Sequence, residues 1–112
     1  MGSQAPKADF QAMLRDMPHK PGVYVMRDRL NHVIYVGKAR DLRKRVSSYF
    51  MPSRKHSADL KTRALIESVW NLEYHIVGSD AEAVLFEGRL IKEFRPKYNI
   101  SFRDDKRFLL VR

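Results

Sequence analysis

Two short stretches combine tyrosine, glycine and β-branched residues in a way that suits either a sheet or a reactive site. They are P-G-V-Y at Pro21–Tyr24 and I-Y-V-G-K at Ile34–Lys38. Aromatic side chains on strands usually pack, and a tyrosine with a pKa of about 10 is a poor general base in water. A neighbouring lysine and a metal-bound water make its phenolate more accessible. Tyr24 and Tyr35 are therefore candidates both for packing and for proton transfer.

A run of cations follows the second stretch. Lys38 comes near the start of a predicted helix, and Arg45 and Tyr49 are four residues apart, so they share one face of that helix. Hydrolysis of a phosphodiester requires positive donors around the non-bridging oxygens, because negative charge accumulates there. Taken singly, each cation also fits an ordinary solvated face. The other candidate nucleic-acid contacts in the run are Arg40, Arg43 and Lys44.

Glu87 is unusual for its position on a predicted helix. The residues three and four positions away are all apolar: Ala83, Val84, Leu90 and Ile91. A carboxylate on an inward face is costly unless it meets a cation, a metal or hydrogen-bond donors. Glu87 is therefore either a boundary residue paired with an arginine or a ligand for a hard divalent metal, which prefers oxygen donors.

The composition excludes several classes of protein. The chain has 112 residues, enough for one domain with a single modest core. It lacks cysteine, which excludes disulfides and thiolate metal sites and fits a reducing cytoplasm. No apolar run approaches the roughly 20 residues of a membrane helix. We therefore expect a cytoplasmic globular domain with no membrane partner.

The charge balance favours a polyanionic partner. The chain carries 22 Lys+Arg against 13 Asp+Glu, a formal net charge of +9. Such an excess suits DNA, RNA or an anionic membrane surface, and it also suits an unremarkable basic surface. The clustering of cations between Lys38 and Arg45 favours nucleic acid.

Hydrophobic periodicity and helix start and stop signals predict four helices and three strands. The first elements are a helix from about Ala8 to Met17, strands at Val23–Met26 and His32–Val36 around a turn at Asp28–Asn31, and a helix capped by Asp41 with Leu42, Val46, Tyr49 and Phe50 as its apolar residues. A third helix, from about Ala58 to Trp70, is predicted to turn four residues inward: Leu60, Ala64, Leu65 and Val69.

The last part of the chain contains the clearest start signal. After a predicted strand at Leu72–Val77, the sequence Ser79-Asp80-Ala81-Glu82 is a capping box that opens a helix to about Phe94, which Arg95-Pro96 ends. Residues 97–112 are expected to be extended or looped, with Phe108–Val111 as a candidate final strand. These elements predict an α+β domain with a small three-stranded, mostly antiparallel sheet flanked by helices.

Taken in order, these residues resemble the GIY-YIG nuclease family and, within it, the N-terminal domains of the UvrC excinuclease subunits. Three stretches carry the resemblance: P-G-V-Y, then V-I-Y-V-G-K-A-R-D-L-R-K-R-V-S-S-Y-F, then E-A-V-L-F-E-G-R-L-I-K-E-F-R-P-K-Y-N. It extends from about Met17 to Lys106. It is more specific than the two tyrosine triplets alone, and it implies the GIY-YIG nuclease fold.

The resemblance implies a catalytic role for seven residues. The signature tyrosines correspond to Tyr24 and Tyr35, and the family's single metal-binding glutamate corresponds to Glu87, which would hold one Mg²⁺ or Mn²⁺. Water would attack phosphorus in line, with either tyrosine as the base and Tyr35, near Lys38, as the favoured one. The remaining family positions are those of a lysine, an arginine, a tyrosine and an asparagine: Lys38, Arg45, Tyr49 and Asn99.

The implied function is a divalent-metal-dependent DNA endonuclease that makes the 3′-side incision of nucleotide excision repair. Its implied partners are damaged duplex DNA and, through regions absent from this chain, UvrA and UvrB. Because Met1–Ser3 resembles an expression-tag remnant, we expect a single domain over residues 4–112, excised from a longer chain. The alternatives are a non-catalytic nucleic-acid-binding module that retains the fold and, on charge alone, an RNA-binding domain. Competent residues at all seven positions favour the nuclease.

Overall fold

The computed structural model describes residues 9–51 and 60–100. Within these ranges the chain forms seven main helices and strands: α1 (Phe10–Asp16), β1 (Gly22–Arg27), β2 (Val33–Ala39), α2 (Leu42–Tyr49), α3 (Leu60–Ser68), β3 (Asn71–Ile76) and α4 (Asp80–Phe94). Residues 97–100 form a further helical turn. The sequence predictions outside the described residues are the tag remnant at Met1–Ser3, the starts of the first and third helices at Ala8 and Ala58, and the strand at Phe108–Val111.

The three strands form one sheet in the order β2-β1-β3, and both strand pairs are antiparallel. The β1–β2 hairpin turns at Asp28, whose Oδ1 accepts hydrogen bonds from the backbone N–H groups of Leu30 and His32 at 3.0 and 2.9 Å. Asn31 adopts a left-handed conformation with φ of 70°, which asparagine tolerates better than most residues. The predicted hairpin and three-stranded antiparallel sheet are confirmed.

Helices cover both faces of the sheet. On one face, α1, α2 and α3 pack over Tyr24 and Met26, and on the other α4 packs over Val23, Val25 and Val36. Strand alternation explains the division, because successive side chains of β1 point to opposite faces. The edge strand β2 therefore runs between two helical layers.

No helix within residues 9–51 and 60–100 is long and apolar enough to cross a membrane.

Two capped helices flank the edge strand β2. The Asp41 carboxylate accepts the Lys44 backbone N–H at 3.0 Å and opens α2, as predicted. This hydrogen bond, followed by that from His19, lowers the pKa of Asp41. Ser79 Oγ accepts the Glu82 N–H and opens α4, while the Glu82 carboxylate accepts the N–H of Gly78 at 2.7 Å. The capping box is thus present with its return bond moved one residue upstream.

Two predictions about inward faces and the tail are wrong in part. In α3 Leu65 is buried as predicted, and so is Val69 just after the helix, but Leu60 is 80% exposed, Ala64 is exposed, and Ile66 is buried instead. The buried residues of α3 thus lie in its C-terminal half, and the apolar residue at its start remains outside the core. Residues 97–100 are helical, not extended, because the backbone N–H of Ile100 bonds to the carbonyl of Pro96 at 3.2 Å.

Candidate active site

The side chain of Tyr24, on β1, extends over the neighbouring strand β2. In the β1–β2 register it pairs with Gly37, and a Cβ at Gly37 would collide with the phenol ring and hydroxyl of Tyr24. Tyr35 pairs with Met26, so Tyr24 and Tyr35 are diagonal neighbours on one face, with ring centroids 6.2 Å apart. The glycine of the second stretch is therefore the space into which Tyr24 fits.

Helix α2 adds a third tyrosine and a cation to this face. The hydroxyls of Tyr49 and Tyr24 are hydrogen-bonded at 2.8 Å, and their ring centroids are 6.0 Å apart. The guanidinium carbon of Arg45 lies 5.3 Å from the centroid of the Tyr49 ring, within cation–π distance. Tyr24, Tyr35 and Tyr49 together are called the tyrosine cluster below.

Burial favours the protonated form of two members of the cluster, Tyr24 and Tyr35. The pKa of Tyr24 lies well above 10, chiefly because the ring is buried and then because of the charges of Tyr49 and Tyr35. Burial also raises the pKa of Tyr35, followed by the charge and hydrogen bond of Tyr49 and the charge of Glu87, while Arg45 opposes the shift. Positive charge brought next to Tyr24 or Tyr35 would lower the pKa of that phenol and make it a better proton acceptor.

Lys38 reaches the site from the opposite face of the sheet. It pairs with Val23 in the hairpin, so strand alternation directs it toward α4 and away from Tyr35. Lys38 and Tyr35, which the sequence predicted to lie near each other, thus project from opposite faces of β2. Beyond that edge lies an open groove of about 450 Å³, here called the basic groove, lined by Lys38, Ala39, Arg40, Arg45, Asp80, Ala83 and Val84.

Glu87 lies at the boundary of the α4 layer. The residues one turn earlier, Ala83 and Val84, line the basic groove, and Glu87 follows them on the same side of the helix. Ala83 is buried but Val84 is 50% exposed, so this face is less enclosed than the sequence predicted. Glu87 itself is half-buried. Its charge acts on Tyr35 across the edge of β2, which joins the α4 layer to the tyrosine cluster.

The donor set around Glu87 suits a hard divalent cation. A half-buried carboxylate with a phenol oxygen nearby offers oxygen ligands, and Mg²⁺ is commonly held by one or two carboxylates while keeping several waters. Within residues 9–51 and 60–100, no group of three or more His, Asp or Glu side chains lies close enough together to hold a metal ion. The assignment of Glu87 as the metal ligand stays a prediction.

Asn99 is brought to the site by its backbone contacts. Its Oδ1 accepts the N–H of Val36 and its Nδ2 donates to the carbonyl of Val36, both at 2.8 Å. This pair of bonds joins the helical turn of residues 97–100 to the edge of β2, between Tyr35 and Gly37. In this structure both polar groups of the Asn99 amide are used by Val36, so the geometry favours a positioning role over contact with substrate.

The cations between Lys38 and Arg45 differ in whether they line the basic groove. Arg43 donates from Nε to the carbonyl of Met17 at 2.8 Å and from Nη2 to the carbonyl of Arg15. Its guanidinium therefore holds the end of α1 and is turned away from the basic groove. Lys44 is exposed, and a role in binding DNA stays a prediction for it. Arg40 lines the groove together with Lys38 and Arg45.

Sequence reasoning missed one charged residue of the groove. Asp80, in the first turn of α4, pairs its Oδ2 with Nε of Arg40 at 3.2 Å. The capping box explained its presence in the sequence, since a carboxylate is favourable in the first turn of a helix. A further role was suggested only by the excess of cations around Arg40, and the fold alone brings that loop next to Asp80.

Comparison with known proteins identifies relatives over most of the chain. A family model described as UvrC-like GIY-YIG domain matches residues 20–100. The UvrABC system protein C of Clostridioides difficile strain 630 is 42% identical over 104 residues, and that of Clostridium botulinum strain Hall is 44% identical over 104 residues, each alignment covering 93% of this chain. The chain spans only 17% and 16% of the length of these two relatives.

Solved structures agree with the fold. The GIY-YIG N-terminal endonuclease domain of UvrC from Thermotoga maritima, described as bound to its catalytic divalent cation, magnesium, is 34% identical to this chain with a TM-score of 0.70, covering 82% of this chain and 97% of that one. A tyrosine-to-phenylalanine point mutant of the same domain is 33% identical, also with a TM-score of 0.70, and covers 82% of this chain and 96% of that one.

Proposed function

Because this chain belongs to the UvrC-like GIY-YIG domain family, we propose that it is a divalent-metal-dependent DNA endonuclease domain that hydrolyses a phosphodiester bond. One observation carries the proposal. Arg45 lines the basic groove and also lies over the Tyr49 ring of the tyrosine cluster, in which the charge of Glu87 acts on Tyr35. A phosphodiester in the groove would thus lie beside a cation, a proton acceptor and a metal-binding carboxylate.

The roles of the individual side chains follow from their surroundings. In the proposed hydrolysis a water oxygen attacks phosphorus while the bond to the leaving oxygen, in line with it, breaks. Arg45, fixed against the Tyr49 ring, would stabilise the charge on the non-bridging oxygens. Lys38 would bind the phosphate from the α4 side of the groove. These two cations approach from opposite faces of the sheet, so together they fix the position of the phosphate.

Tyr35 is the better candidate for the base that takes the proton from the attacking water. It is half-buried and lies within the influence of Glu87, whereas Tyr24 is only 1% exposed. A divalent cation held by Glu87 would supply positive charge that neutralises the phosphate and lowers the pKa of a nearby phenol or water. Tyr24 and Tyr49 would then orient Tyr35 and Arg45 through their hydrogen bonds.

The biological setting is proposed from the relatives. They are named as protein C of the UvrABC system. We infer that this domain makes the 3′-side incision on damaged duplex DNA in nucleotide excision repair, in the cytoplasm, together with UvrA and UvrB. Contacts with those partners would be made by other parts of a longer protein, since the chain spans 17% of the length of the first relative.

The deciding experiment is metal-dependent nicking of supercoiled plasmid by the chain and its Glu87→Gln variant. With Mn²⁺ or Mg²⁺ we expect nicking by the wild type and a loss of about 100-fold or more in the variant, because the carboxylate would be the main metal ligand. Glu93→Gln is the matched control. This variant loses the same charge from an exposed position near the C-terminal end of α4 and should nick like the wild type.

Two results would overturn the proposal. Unchanged nicking by a folded Glu87→Gln variant would show that the metal site is elsewhere. DNA binding without any metal-dependent nicking by the wild type would instead identify a non-catalytic nucleic-acid-binding module. Incision of an end-labelled damaged duplex, with UvrA, UvrB and the longer protein carrying Glu87→Gln, tests the 3′ assignment: persistence of the 3′-side cut would refute it.

A further inference from the structure

Two residues that line the basic groove, Arg40 and Asp80, form an ion pair that the proposed catalysis does not use. Arg40 follows β2 and Asp80 begins α4, and the two meet with Nε and Oδ2 at 3.2 Å. Both side chains are open to solvent, with 89% and 61% of their surfaces exposed. The pair therefore joins the two walls of the groove.

The groove is continuous from this ion pair to the catalytic residues. Arg45 lines it and also lies over the ring of Tyr49, while Ala83 and the half-exposed Val84 form its apolar side. A strand whose scissile phosphate lies at Arg45 would therefore carry its next phosphates along the groove, with its sugars against the apolar side. Arg40 is the cation that such a phosphate would reach.

We propose that Arg40 is a second phosphate subsite, for a backbone phosphate flanking the scissile one, and that Asp80 controls its occupancy by competing with the phosphate for the guanidinium. This inference rests on the proposed function, because it takes the bound ligand to be a DNA strand in the groove. Asp80 makes the subsite available only to a ligand that can displace a carboxylate.

Replacing the Asp80 carboxylate by a phosphate at Arg40 costs little free energy. An exposed ion pair contributes little stability, so a phosphate that accepts two parallel N–H bonds from the guanidinium can replace the carboxylate. The released Asp80 stays in the first turn of α4, where a negative charge is favourable, so it requires no new partner. A weakly held or misplaced strand, in contrast, leaves Arg40 paired with Asp80.

Salt dependence separates this subsite from general charge attraction. Each phosphate neutralised by a cation contributes about 0.9 to the slope of log affinity against log salt for duplex DNA. Arg40→Gln should therefore lower the slope by about 1. Asp80→Asn should raise affinity on the order of five-fold, the factor that matches the upper range of an exposed ion pair, because the phosphate no longer displaces a carboxylate.

The test is a double-mutant cycle in DNA binding. The probe is a short fluorescent duplex, and binding of the wild type, Arg40→Gln, Asp80→Asn and the double variant is measured in EDTA over a series of salt concentrations. We expect Asp80→Asn to strengthen binding only when Arg40 is present. Glu93→Gln removes the same charge about 20 Å along α4 from Asp80 and should change affinity by less than two-fold.

The outcomes are distinct. An equal gain from Asp80→Asn with and without Arg40 would mean that Asp80 only repels DNA, and the proposal would fail. An unchanged affinity and slope in Arg40→Gln would remove the subsite altogether. Binding in EDTA does not depend on cleavage, so loss of nicking in the Glu87→Gln experiment and loss of Arg40–Asp80 coupling report on the two proposals separately. Circular-dichroism melting of each variant confirms that it is folded.

Discussion

The hydroxyl oxygens of Tyr24 and Tyr49 lie 2.8 Å apart and join the central strand β1 to helix α2. Both rings are almost fully buried, with 1% and 3% of their surfaces exposed. Such a buried polar pair is stable because each hydroxyl has a partner. It also fixes Arg45, whose guanidinium lies over the Tyr49 ring. The tyrosines of this site are therefore both packing residues and parts of a hydrogen-bond network.

The two signature tyrosines should differ in their contribution to catalysis. We expect Tyr35→Phe to lower the nicking rate by about 100-fold or more, the usual range for losing a general base. Tyr24→Phe should lower it less, while reducing the free energy of unfolding by about 1 kcal/mol through loss of the bond to Tyr49. Nicking rates and urea unfolding of both variants measure this. The reverse order of rates would make Tyr24 the base.

Tyr74→Phe is the matched control for that comparison. Tyr74 lies on β3 directly opposite Tyr24 in the register and packs against the same core. It contributes nothing to the proposed chemistry, so the variant should nick at the rate of the wild type. A large loss of rate in Tyr74→Phe would mean that the assay reports core packing and not the hydroxyl chemistry of the site.

Two glycines provide opposite tests of packing. Gly37→Ala should lower the free energy of unfolding by about 1–3 kcal/mol and abolish nicking, because the new methyl group would collide with the Tyr24 ring. Gly88→Ala adds the same methyl group within α4, where no atom lies within 4 Å, and should gain about 0.5–1 kcal/mol from better helix propensity. Thermal unfolding measures both. Equal effects would contradict the placement of Tyr24 over Gly37.

Asn99 should act on the reaction only through Val36. We expect Asn99→Ala to lower the free energy of unfolding by about 1–3 kcal/mol, because two bonds to the edge of β2 are lost. The turnover rate should fall, but KM for DNA and the shape of the pH–rate profile should be kept, since the same groups titrate. A fully stable Asn99→Ala variant with lost activity would instead indicate direct contact with the substrate.

The buried phenols should make the domain sensitive to alkaline pH. The pKa values of Tyr24 and Tyr35 are raised in the folded state, so above pH 10 the unfolded chain releases protons that the folded chain keeps. The free energy of unfolding should then fall with rising pH, by about 1.4 kcal/mol per pH unit for each tyrosine, until the folded-state pKa is reached.

Urea unfolding at pH 9, 10 and 11 measures this slope. Comparison with Tyr35→Phe isolates the contribution of that phenol, because every other titrating group is shared by the two proteins. The variant should lose less stability between pH 10 and pH 11 than the wild type. Parallel curves would show that Tyr35 ionises as easily in the folded chain as in the unfolded one.

Local features of the structure were predictable because local sequence causes them. Asp41 and Ser79 cap their helices through bonds to residues three positions away, and the hairpin follows from alternation around a turn at Asp28. The family was predictable for another reason: its motifs preserve residue types and order along most of the chain, and the model match over residues 20–100 confirms it.

The exceptions were contacts between residues distant in sequence. The tail was expected to be extended, but residues 97–100 are helical and Asn99 is anchored to Val36, 63 positions earlier. In α3 the sequence pattern identified two of the inward residues and missed Ile66. Periodicity gives the apolar stripe of a helix, but the layer it meets decides how much of the stripe is covered.

Caps, alternation and motif order are local properties of the chain, so most elements, the family and the candidate site residues could be predicted from the sequence. How those residues meet depends on the tertiary fold. It placed Tyr24 over Gly37, directed Lys38 and Tyr35 to opposite faces of the sheet, and brought Asp80 to Arg40. The reason is physical: register and helix docking depend on burial summed over the whole core, which no short stretch contains.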